Sequence, residues 1–244
     1  MYNPFAHDYH QKRRRIWNDL KIFFKDLEKE GYGFQGINID LGCANGRHFP
    51  LFKNKTNKLI GVDNSLDFIN IAKEYINELP NLTENNHQNI SLIQADMQYL
   101  PFRENSINNI FSIASLHHIR NSHERKKIVK QISVILKANG KFLLTLWARW
   151  QKRFRKHFIK DWILRKLTLN KMKSKDELKS KLSEFGDILI PWTISAQKKT
   201  IQRFYHLSSK REILNLLKNY KIDLIKKMGG PGGKDNFFIL AANR

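Results

Sequence analysis

Residues Ile37 to Gly46 read INIDLGCANG, and this stretch decides the fold. Its first half has the apolar and β-branched character of a strand, and its second half consists of small residues that suit a tight turn. Glycine is needed in such a turn where a side chain would force an unfavourable φ or block a ligand from the backbone amides. With a helix expected to begin near Arg47, the stretch predicts a strand, a glycine loop and a helix.

Short apolar runs alternate with longer helical patterns through the first 147 residues, which is the order of a parallel sheet with helices on both faces. The runs predict strands at 37–41, 58–62, 90–95, 107–115, 140–146 and, near the end of the chain, 236–241. Helical stripes predict helices at 17–27, 66–76 and 208–217, the last with Ser208 or Ser209 as its N-cap. The polar, Asn-rich segment 80–88 is predicted to be a loop.

Charge is the unusual feature of the composition. The 244 residues are 41% hydrophobic, enough for a buried core, yet 44 Lys and Arg against 22 Asp and Glu give a net charge of +22. Such an excess predicts a polyanionic partner. A single cysteine, Cys43, excludes an intramolecular disulfide framework and a Cys-rich zinc site, and we predict no metal. Without a signal-like start or a long apolar run, we expect a cytoplasmic protein that does not enter membranes.

About half of this charge lies in one segment. Residues 149–181 hold 13 Lys and Arg against three acids, a net +10 of the total +22. Within the segment, Phe154, Phe158, Trp162 and Ile163 predict an amphipathic helix whose other face is basic. The helix is open to three interpretations, namely a solvated face, a nucleic-acid surface and a membrane-surface helix.

Acidic residues stand at the carboxyl ends of three successive predicted strands. Asp63 follows Gly42 by 21 residues, where a carboxylate accepts hydrogen bonds from both ribose hydroxyls, and Asp96 is placed to accept from an adenine amino group. With Asp40 they form a predicted row along the crevice in which open α/β sheets bind ligands. The alternative is that these are ordinary turns with solvated acids.

The loop also bears on which ligand is bound. A nicotinamide dinucleotide requires G-x-G-x-x-G, whereas the spacing here is Gly42-x-x-x-Gly46 with Ala44 between the glycines. Asp40, two residues before Gly42, repels a pyrophosphate but suits an ammonium group. The ligand predicted from these residues is a nucleoside with a cationic amino-acid tail, S-adenosylmethionine.

Three motifs in this region resemble those of class I S-adenosylmethionine-dependent methyltransferases. They are Asp40-Leu41-Gly42-Cys43-Ala44-Asn45-Gly46, Gly61-Val62-Asp63, and Ala95-Asp96-Met97 followed by Leu100-Pro101-Phe102. The resemblance implies a Rossmann-like α/β fold: a mostly parallel seven-stranded sheet with helices on both faces and a basic helical insertion before the last two strands. The cofactor-binding residues it implies are Asp40, Gly42, Cys43, Gly46, Asp63, Asp96, Met97 and Ser115. Ala44, where glycine is usual, and Asn108, where many members have aspartate, depart from the pattern.

Further motifs resemble the tRNA wobble-uridine carboxymethyl methyltransferase family. They lie in residues 2–17, in Gly186–Trp192, in Arg203-Phe204-Tyr205-His206-Leu207 and in Asp235-Asn236-Phe237-Phe238. The resemblance implies methylation of the carboxylate of 5-carboxymethyluridine in the tRNA anticodon arm to the methyl ester. It also implies a partner, a small zinc-binding activator subunit that adds a strand beside the sheet in this family.

The implied acceptor is a carboxylate with a reference pKa of about 4, so it is ionised at neutral pH and its methylation needs no strong base. Orientation in a site that excludes water is what remains to be supplied. We expect Arg13, Arg203 and either His117 or His118 to hold the carboxylate or the wobble nucleotide. Tyr205 and His206 are expected to shape the pocket, and Asp187 to orient one of the cations or a base edge.

The basic residues then gain a predicted role as contacts to RNA phosphates, at Lys152, Arg153, Arg155 and Lys156 and at residues 12–15. The whole chain, 1–244, is predicted to be one methyltransferase domain. Its parts are an N-terminal capping segment (1–30), the cofactor-binding core (31–147), the basic insertion (148–200) and a C-terminal helix and strand (201–244). Two alternatives remain, a small-molecule methyltransferase of the same fold and a non-catalytic RNA-binding relative.

Overall fold

A seven-stranded sheet forms the centre of the molecule in a computed structural model that describes residues 5–52, 57–78, 89–168 and 184–244. In chain order the strands are β1 (Ile37–Leu41), β2 (Lys58–Asp63), β3 (Ile90–Gln94), β4 (Ile107–Ile113), β5 (Leu136–Trp147), β6 (Asp187–Ile194), β7 (Lys199–His206), β8 (Tyr220–Met228) and β9 (Asn236–Asn243). The sheet order is β3-β2-β1-β4-β5-β9-β8, and β6 pairs with β7 in a separate antiparallel hairpin.

The pairing confirms the predicted mostly parallel sheet. β1 to β5 pair in parallel, and only β9 runs antiparallel to its neighbours β5 and β8. The chain moves from β1 outward to β2 and β3, and then returns to place β4 on the other side of β1. Such a switch point opens a crevice at the carboxyl ends of the strands, where α/β proteins bind their ligands.

Helices cover both faces of the sheet. They are α1 (Ala6–Lys12), α2 (Asn18–Lys29), α3 (Phe49–Phe52), α4 (Leu66–Glu78), α5 (Ser122–Ile135), α6 (Arg155–Thr168) and α7 (Lys210–Leu216). Neighbouring residues of β4 serve opposite faces, because side chains alternate along a strand. Ile110 packs in the core with α5 and α7, whereas Phe111 packs in the core with α2, α3 and α4 and stacks on Phe52 at 4.3 Å.

Local chemistry explains the helix boundaries near the site. The helix expected near Arg47 is the single turn of α3, which begins at Phe49. Of the two predicted caps of α7, Ser209 is the one used: its hydroxyl accepts from the Glu212 amide, and the Glu212 carboxylate accepts from the Ser209 amide.

Three strands, β6, β7 and β8, were not predicted at their positions. β8 is an edge strand whose Lys221, Lys226 and Lys227 hide the strand alternation, although such lysines are typical of an edge that avoids pairing with other molecules. The β6–β7 hairpin contains Pro191 and a polar β7, and proline is tolerated there because the strand has a partner on one side only. The predicted boundary at residue 200 falls inside β7.

The basic segment contains the predicted helix, α6, but its apolar residues do not form one buried stripe. Phe158 is fully buried, whereas Trp162 is 46%, Ile163 44% and Leu167 66% exposed. These three apolar side chains are therefore exposed, and the predicted amphipathic helix does not bury its whole apolar face. The predicted loop at 80–88, residues 169–181 of the basic segment and Tyr2 of the N-terminal motif lie outside the described residues. In the part that is described, no helix is long and apolar enough to cross a membrane.

Candidate active site

A cavity of about 500 Å³ opens at the carboxyl ends of β1, β2 and β4, at the switch point of the sheet. The loop after β1 forms one wall, α1 and β7 contribute another, and the turn after β4 closes a third. The predicted site residues that line it are Gly42, Asp63, Asp96, Met97, Ser115, His118 and Arg203. A volume of this size suits a nucleoside-sized ligand.

The glycine loop is shaped for close contact. Gly42 has a φ of +80°, and a Cβ at this position would lie 2.4 Å from Ser115 Oγ, so only glycine fits. Ala44 has a φ of 48°, which costs a residue with a side chain about 1 kcal/mol relative to glycine. The alanine nevertheless keeps the backbone contact that the loop needs, because its amide donates to Asp63 Oδ2 at 2.9 Å.

Two of the three predicted acids lie at the cavity. Asp63 also accepts from the Ser65 amide at 3.0 Å, and Asp96 accepts from the Gln98 amide at 2.9 Å. Burial raises the pKa of Asp63, whereas the hydrogen bonds from the backbone amides of Ser65 and Ala44 lower it. Each carboxylate keeps further acceptor capacity, since an ionised carboxylate has about four lone-pair sites. The arrangement fits a ligand that carries hydroxyl and amino donors.

Asp40 departs from the predicted row. It is 2% exposed and does not line the cavity. Burial, together with the charge of Asp63, raises the pKa of Asp40 to about 8. The carboxyl group is therefore mostly protonated at neutral pH, and the two-acid set of Asp63 and Asp96 replaces the row of three at the cavity surface.

Cys43 and Gly46 also lie outside the cavity lining. The Cys43 thiol is buried beside Gly61, and burial raises its pKa well above the usual value, which makes it unreactive. Gly46 has a φ of +71°, and a Cβ there would lie 2.5 Å from the Phe49 ring. Both residues therefore support the conformation of the loop without lining the cavity.

The two histidines follow β4 in a 3₁₀ turn, Leu116–His118. His118 lines the cavity, and its Nδ1 lies 3.0 Å from the carbonyl oxygen of Phe204 in β7. Burial lowers the pKa of His118 to about 4 and that of His117 well below its usual value, so both rings are neutral at pH 7. His117 is 1% exposed and lies outside the cavity lining, and among the described residues its Nδ1 has no hydrogen-bond partner.

Arg203 and Tyr205 belong to the same strand but differ in position. The Arg203 guanidinium lines the cavity, 4.4 Å from the centre of the Trp192 ring, and within the described ranges it forms no ion pair and its Nε has no hydrogen-bond partner. Tyr205 is buried, stacks on Trp147 at 4.6 Å, and packs against both histidines. It supports the cavity from outside its lining.

Three guanidinium groups act on the Tyr205 hydroxyl. Burial raises the pKa of Tyr205 to about 12, while Arg203, Arg153 and Arg13 act in the opposite direction. The exposed Arg13 side chain does not line the cavity, but its backbone carbonyl accepts from Asn45 of the glycine loop at 3.0 Å. The side of the cavity formed by β7 is therefore strongly cationic.

Asp187 and His206 form a separate buried cluster. Asp187 Oδ1 lies 2.7 Å from His206 Nδ1, and both residues are 2% exposed. His206 lines a second cavity of about 410 Å³ together with Arg125, Arg149, Glu184 and Glu212, away from the first cavity. The structure therefore does not bring Asp187 and His206 to the candidate active site, because the register of the hairpin pairs them with each other.

The same cluster contains a group with metal-ligand chemistry. The ligand atoms of Glu184, Asp187 and His206 lie within 4.8 Å of one another. Glu184 also pairs with Arg125, and Arg149 pairs with Glu212 at 2.6 Å. The guanidinium groups already balance these acids, which makes the cluster an ion network at the base of the hairpin.

Several cavity residues were not assigned a role from the sequence. Phe5 immediately precedes α1, Tyr9 comes from α1, Phe68 from α4, and Arg47 and Arg120 from loops. The aromatic residues pack on one another, with the Tyr9 and Phe68 rings 5.3 Å apart. Tyr9 stands in the N-terminal motif, but no local pattern indicates that α1 folds over the glycine loop.

Comparisons with known proteins agree with this geometry. Residues 39–144 match the family model described as a methyltransferase domain. A solved S-adenosylmethionine-dependent methyltransferase of Methanosarcina mazei superposes with a TM-score of 0.66 at 19% identity, covering 94% of this chain and 98% of that one. A second, from Clostridium acetobutylicum, gives a TM-score of 0.66 at 16% identity, covering 99% and 98%. Residues 39–144 therefore match a methyltransferase domain, and the chain has the class I fold of S-adenosylmethionine-dependent methyltransferases.

Individual relatives indicate a more specific resemblance within the methyltransferases. The tRNA (carboxymethyluridine(34)-5-O)-methyltransferase of Schizosaccharomyces pombe is 24% identical over 249 residues, 99% of this chain and 93% of that protein. The Arabidopsis thaliana enzyme of the same name is 28% identical over 152 residues, 62% of this chain but only 33% of that protein. A protein of Encephalitozoon cuniculi is 27% identical over 155 residues, 64% of each chain. These matches confirm the resemblance to carboxymethyluridine methyltransferases.

Proposed function

We propose that the protein methylates the carboxylate of 5-carboxymethyluridine at the wobble position of tRNA and forms the methyl ester, 5-methoxycarbonylmethyluridine. The observation that carries the proposal is Arg203, which lines the cavity that also holds Asp63 and Asp96 and forms no ion pair among the described residues. A half-buried cation without an acidic partner in that part of the chain suits an anionic acceptor. The names of the relatives from Schizosaccharomyces pombe and Arabidopsis thaliana support the same reaction.

The cofactor side is assigned to the loop after β1 and the ends of β2 and β3. Asp63 would accept from the ribose hydroxyls, Asp96 from the adenine amino group, and the Gly42 backbone would lie against the amino-acid tail. Ser115 and Met97 also line this side of the cavity. Asp40, Cys43 and Gly46 do not line the cavity and support the conformation of the loop. When bound, S-adenosylmethionine supplies an electrophilic methyl group on a sulfonium.

The acceptor side is assigned to cations and neutral rings. Arg203 would bind one carboxylate oxygen and leave the other exposed to the methyl donor, so that orientation rather than proton removal sets the rate. Because the Phe204 carbonyl accepts, His118 Nδ1 carries the proton and the ring is neutral. A neutral ring binds a carboxylate less strongly than a guanidinium does, so His118 is assigned to the wobble nucleotide and Arg203 to the carboxylate. Arg13, at the rim of the cavity, is assigned to the nucleotide. His117 and Tyr205 pack behind the residues that line the cavity and support them.

RNA phosphates are assigned to the beginning of α6. Lys152, Arg153, Arg155 and Lys156 are all exposed. Arg153 lies 4.7 Å over the Trp147 ring, which stacks on Tyr205, so this surface continues directly from the acceptor side. Unpaired nucleotides of an anticodon loop would reach both at once. Of residues 12–15, Lys12 is unsuited to this role because its ammonium already contacts Asp8 and the Thr193 carbonyl.

A small zinc-binding activator subunit is assigned to the free edge of β3. This strand pairs only with β2 among the described strands, and its residues are mostly half-buried. An unpaired edge of this kind offers backbone donors and acceptors to an added strand. Co-expression with such a subunit should raise the soluble yield of the chain.

The experiment is methylation of purified tRNA that carries 5-carboxymethyluridine, followed by mass spectrometry of its nucleosides, with and without the activator subunit. We expect the mass of one methyl group to be added to 5-carboxymethyluridine alone. The same tRNA without the carboxymethyl group is the control and should remain unmodified. Methylation of that control, or of any other nucleoside, would contradict the proposal.

A further inference from the structure

Asp8 is a buried acid on α1, only 7% exposed, for which the methyltransferase chemistry has no use. Its Oδ2 accepts from the indole Nε1–H of Trp192 at 2.7 Å and from Lys12 Nζ at 2.8 Å. Its Oδ1 accepts from the backbone amide of Ser195 at 2.9 Å. Trp192 lies in β6 and Ser195 in the turn that follows it, more than 180 residues away in the chain. Asp8 therefore joins the N-terminal helix to the β6–β7 hairpin.

Both joined elements line the candidate active site. α1 contributes Tyr9 to the cavity, and β7 contributes Arg203. Between them lies the Trp192 ring, 5.8 Å from the Tyr9 ring and 4.4 Å from the Arg203 guanidinium. The ring on which Arg203 rests is thus fixed at its indole nitrogen by Asp8.

We propose that Asp8 is a positioning residue, which fixes α1 and the β6–β7 hairpin at one spacing. The end of α1 contacts the glycine loop through Asn45, whose side chain lies 3.1 Å from His10 Nδ1 and donates to the Arg13 carbonyl, so this spacing keeps α1 beside the cofactor side of the cavity. Asp8 acts through Trp192 and does not itself line the cavity. The inference rests on the methyltransferase class and on the glycine loop as the cofactor side, but not on the identity of the acceptor.

A carboxylate is specifically required at this position. Its two oxygens accept from three donors. An asparagine at this position would replace one oxygen with an NH₂ group, and that group would face either the Ser195 amide or the donors of Trp192 and Lys12. Burial raises the pKa of Asp8, but the hydrogen bonds from Lys12, Ser195 and Trp192 outweigh it and lower the pKa to about 2. Asp8 is therefore charged at neutral pH, and all three donors face an ionised carboxylate.

The test compares Asp8→Asn, Trp192→Phe and the double variant by calorimetry with S-adenosylhomocysteine, a probe that needs no acceptor. We expect Asp8→Asn to weaken binding about tenfold, the effect of losing a hydrogen bond to a charged group. Trp192→Phe removes the same bond and keeps a ring, so the double variant should be no weaker than the weaker single variant. Asp26→Asn is the matched control, because Asp26 pairs with Lys226 outside the cavity, and it should bind normally.

A spectroscopic readout separates positioning from general stability. The proton NMR signal of the Trp192 indole N–H, identified by its absence from Trp192→Phe, should move upfield in Asp8→Asn and stay in place in Asp26→Asn. Normal S-adenosylhomocysteine binding by both single variants would overturn the proposal, even if their Tm falls, and so would additive losses in the double variant. If Asp8→Asn does not fold, Trp192→Phe alone decides, with weakened binding in support and unchanged binding against.

Because this binding experiment contains no RNA, its outcome is independent of the tRNA reaction. A chain that shows the coupled losses but fails to methylate carboxymethylated tRNA would contradict the proposed function and support the role of Asp8. A chain that methylates the tRNA while its Asp8 and Trp192 variants bind normally would do the reverse.

Discussion

His118 Nδ1 lies 3.0 Å from the carbonyl oxygen of Phe204, a contact that ties the turn after β4 to β7. His118 lies in the turn after β4, a strand of the central sheet, and Phe204 belongs to the β6–β7 hairpin outside that sheet. Both line the same cavity, so the contact fixes the spacing of two of its walls. The neutral state of the imidazole is built into the fold and has consequences for pH dependence.

The contribution of His118 to stability should fall as the pH falls from about 6.5 to about 4. The folded protein lowers the pKa of His118 to about 4 by burial, whereas the unfolded chain takes up the proton near pH 6.5. Within that window the unfolded state binds more protons at this residue, so acid lowers its contribution, by about 2 kcal/mol at pH 5. Asp40, whose pKa is raised to about 8, acts in the opposite direction, so the contribution of His118 is measured against a variant that keeps Asp40. His118→Asn keeps a donor toward Phe204 but does not titrate, so urea unfolding at pH 7 and pH 5 should show a change in stability about 2 kcal/mol more favourable than that of the wild type; an equal change in both would refute this origin.

Arg203→Ala should raise the acceptor KM and lower kcat/KM by about 100-fold, because the carboxylate loses its charge-assisted partner. Arg203→Lys should recover only part of the loss, since an ammonium lacks the planar fork of a guanidinium. The measurement is steady-state methylation of carboxymethylated tRNA at saturating S-adenosylmethionine. Arg211→Ala serves as the control, because Arg211 lies on α7 and not at the cavity. Equal activity of the Arg203 and Arg211 variants would exclude Arg203 from the acceptor side.

The glycine loop predicts opposite results at two neighbouring positions. Gly42→Ala should destabilise the protein by roughly 3 kcal/mol and abolish S-adenosylhomocysteine binding, because its Cβ meets Ser115 Oγ at a positive φ. Ala44→Gly should leave binding and stability nearly unchanged, since relief of left-handed strain offsets the greater freedom of the unfolded chain. Thermal unfolding and calorimetry test both. Normal binding by Gly42→Ala would show that the ligand does not approach this loop.

Affinity for tRNA should decrease steeply with salt. Replacing Lys152, Arg155 and Lys156 with alanine should reduce the slope of log affinity against log salt by about 2 to 3, close to one for each lost phosphate contact. Replacing Lys218, Lys221 and Lys226 removes the same charge from the region of β8 and should leave the slope unchanged. Equal changes in the two triple variants would mean that net charge, and not this surface, attracts the RNA.

The sequence predicted the sheet well because its central strands are apolar and separated by helices. Ile37–Leu41 was placed correctly, and Asp63 and Asp96 lie at the cavity as their positions at strand ends required. Asp40 was assigned to the cavity, and its burial shows that a strand end does not reveal which way a side chain faces.

The hairpin set the limit of the sequence reasoning. His206 stands in the same motif as Arg203 and Asp187 in the motif before it, and both were assigned to the same site as Arg203. Their side chains meet each other at a second cavity because they are opposite one another in the antiparallel register, which no local pattern specifies. The position of Asp8 beneath Trp192 is a contact between distant segments and was equally beyond reach.

The most direct test of the central claim is the chemical stability of the methylated product. After transfer of an isotopically labelled methyl group to carboxymethylated tRNA, mild alkali hydrolyses a methyl ester but leaves methyl groups on ring nitrogen, carbon or ribose oxygen in place. The proposed reaction predicts that all of the transferred label is released as methanol. Label that stays on the tRNA after the same treatment would contradict methylation of the carboxylate.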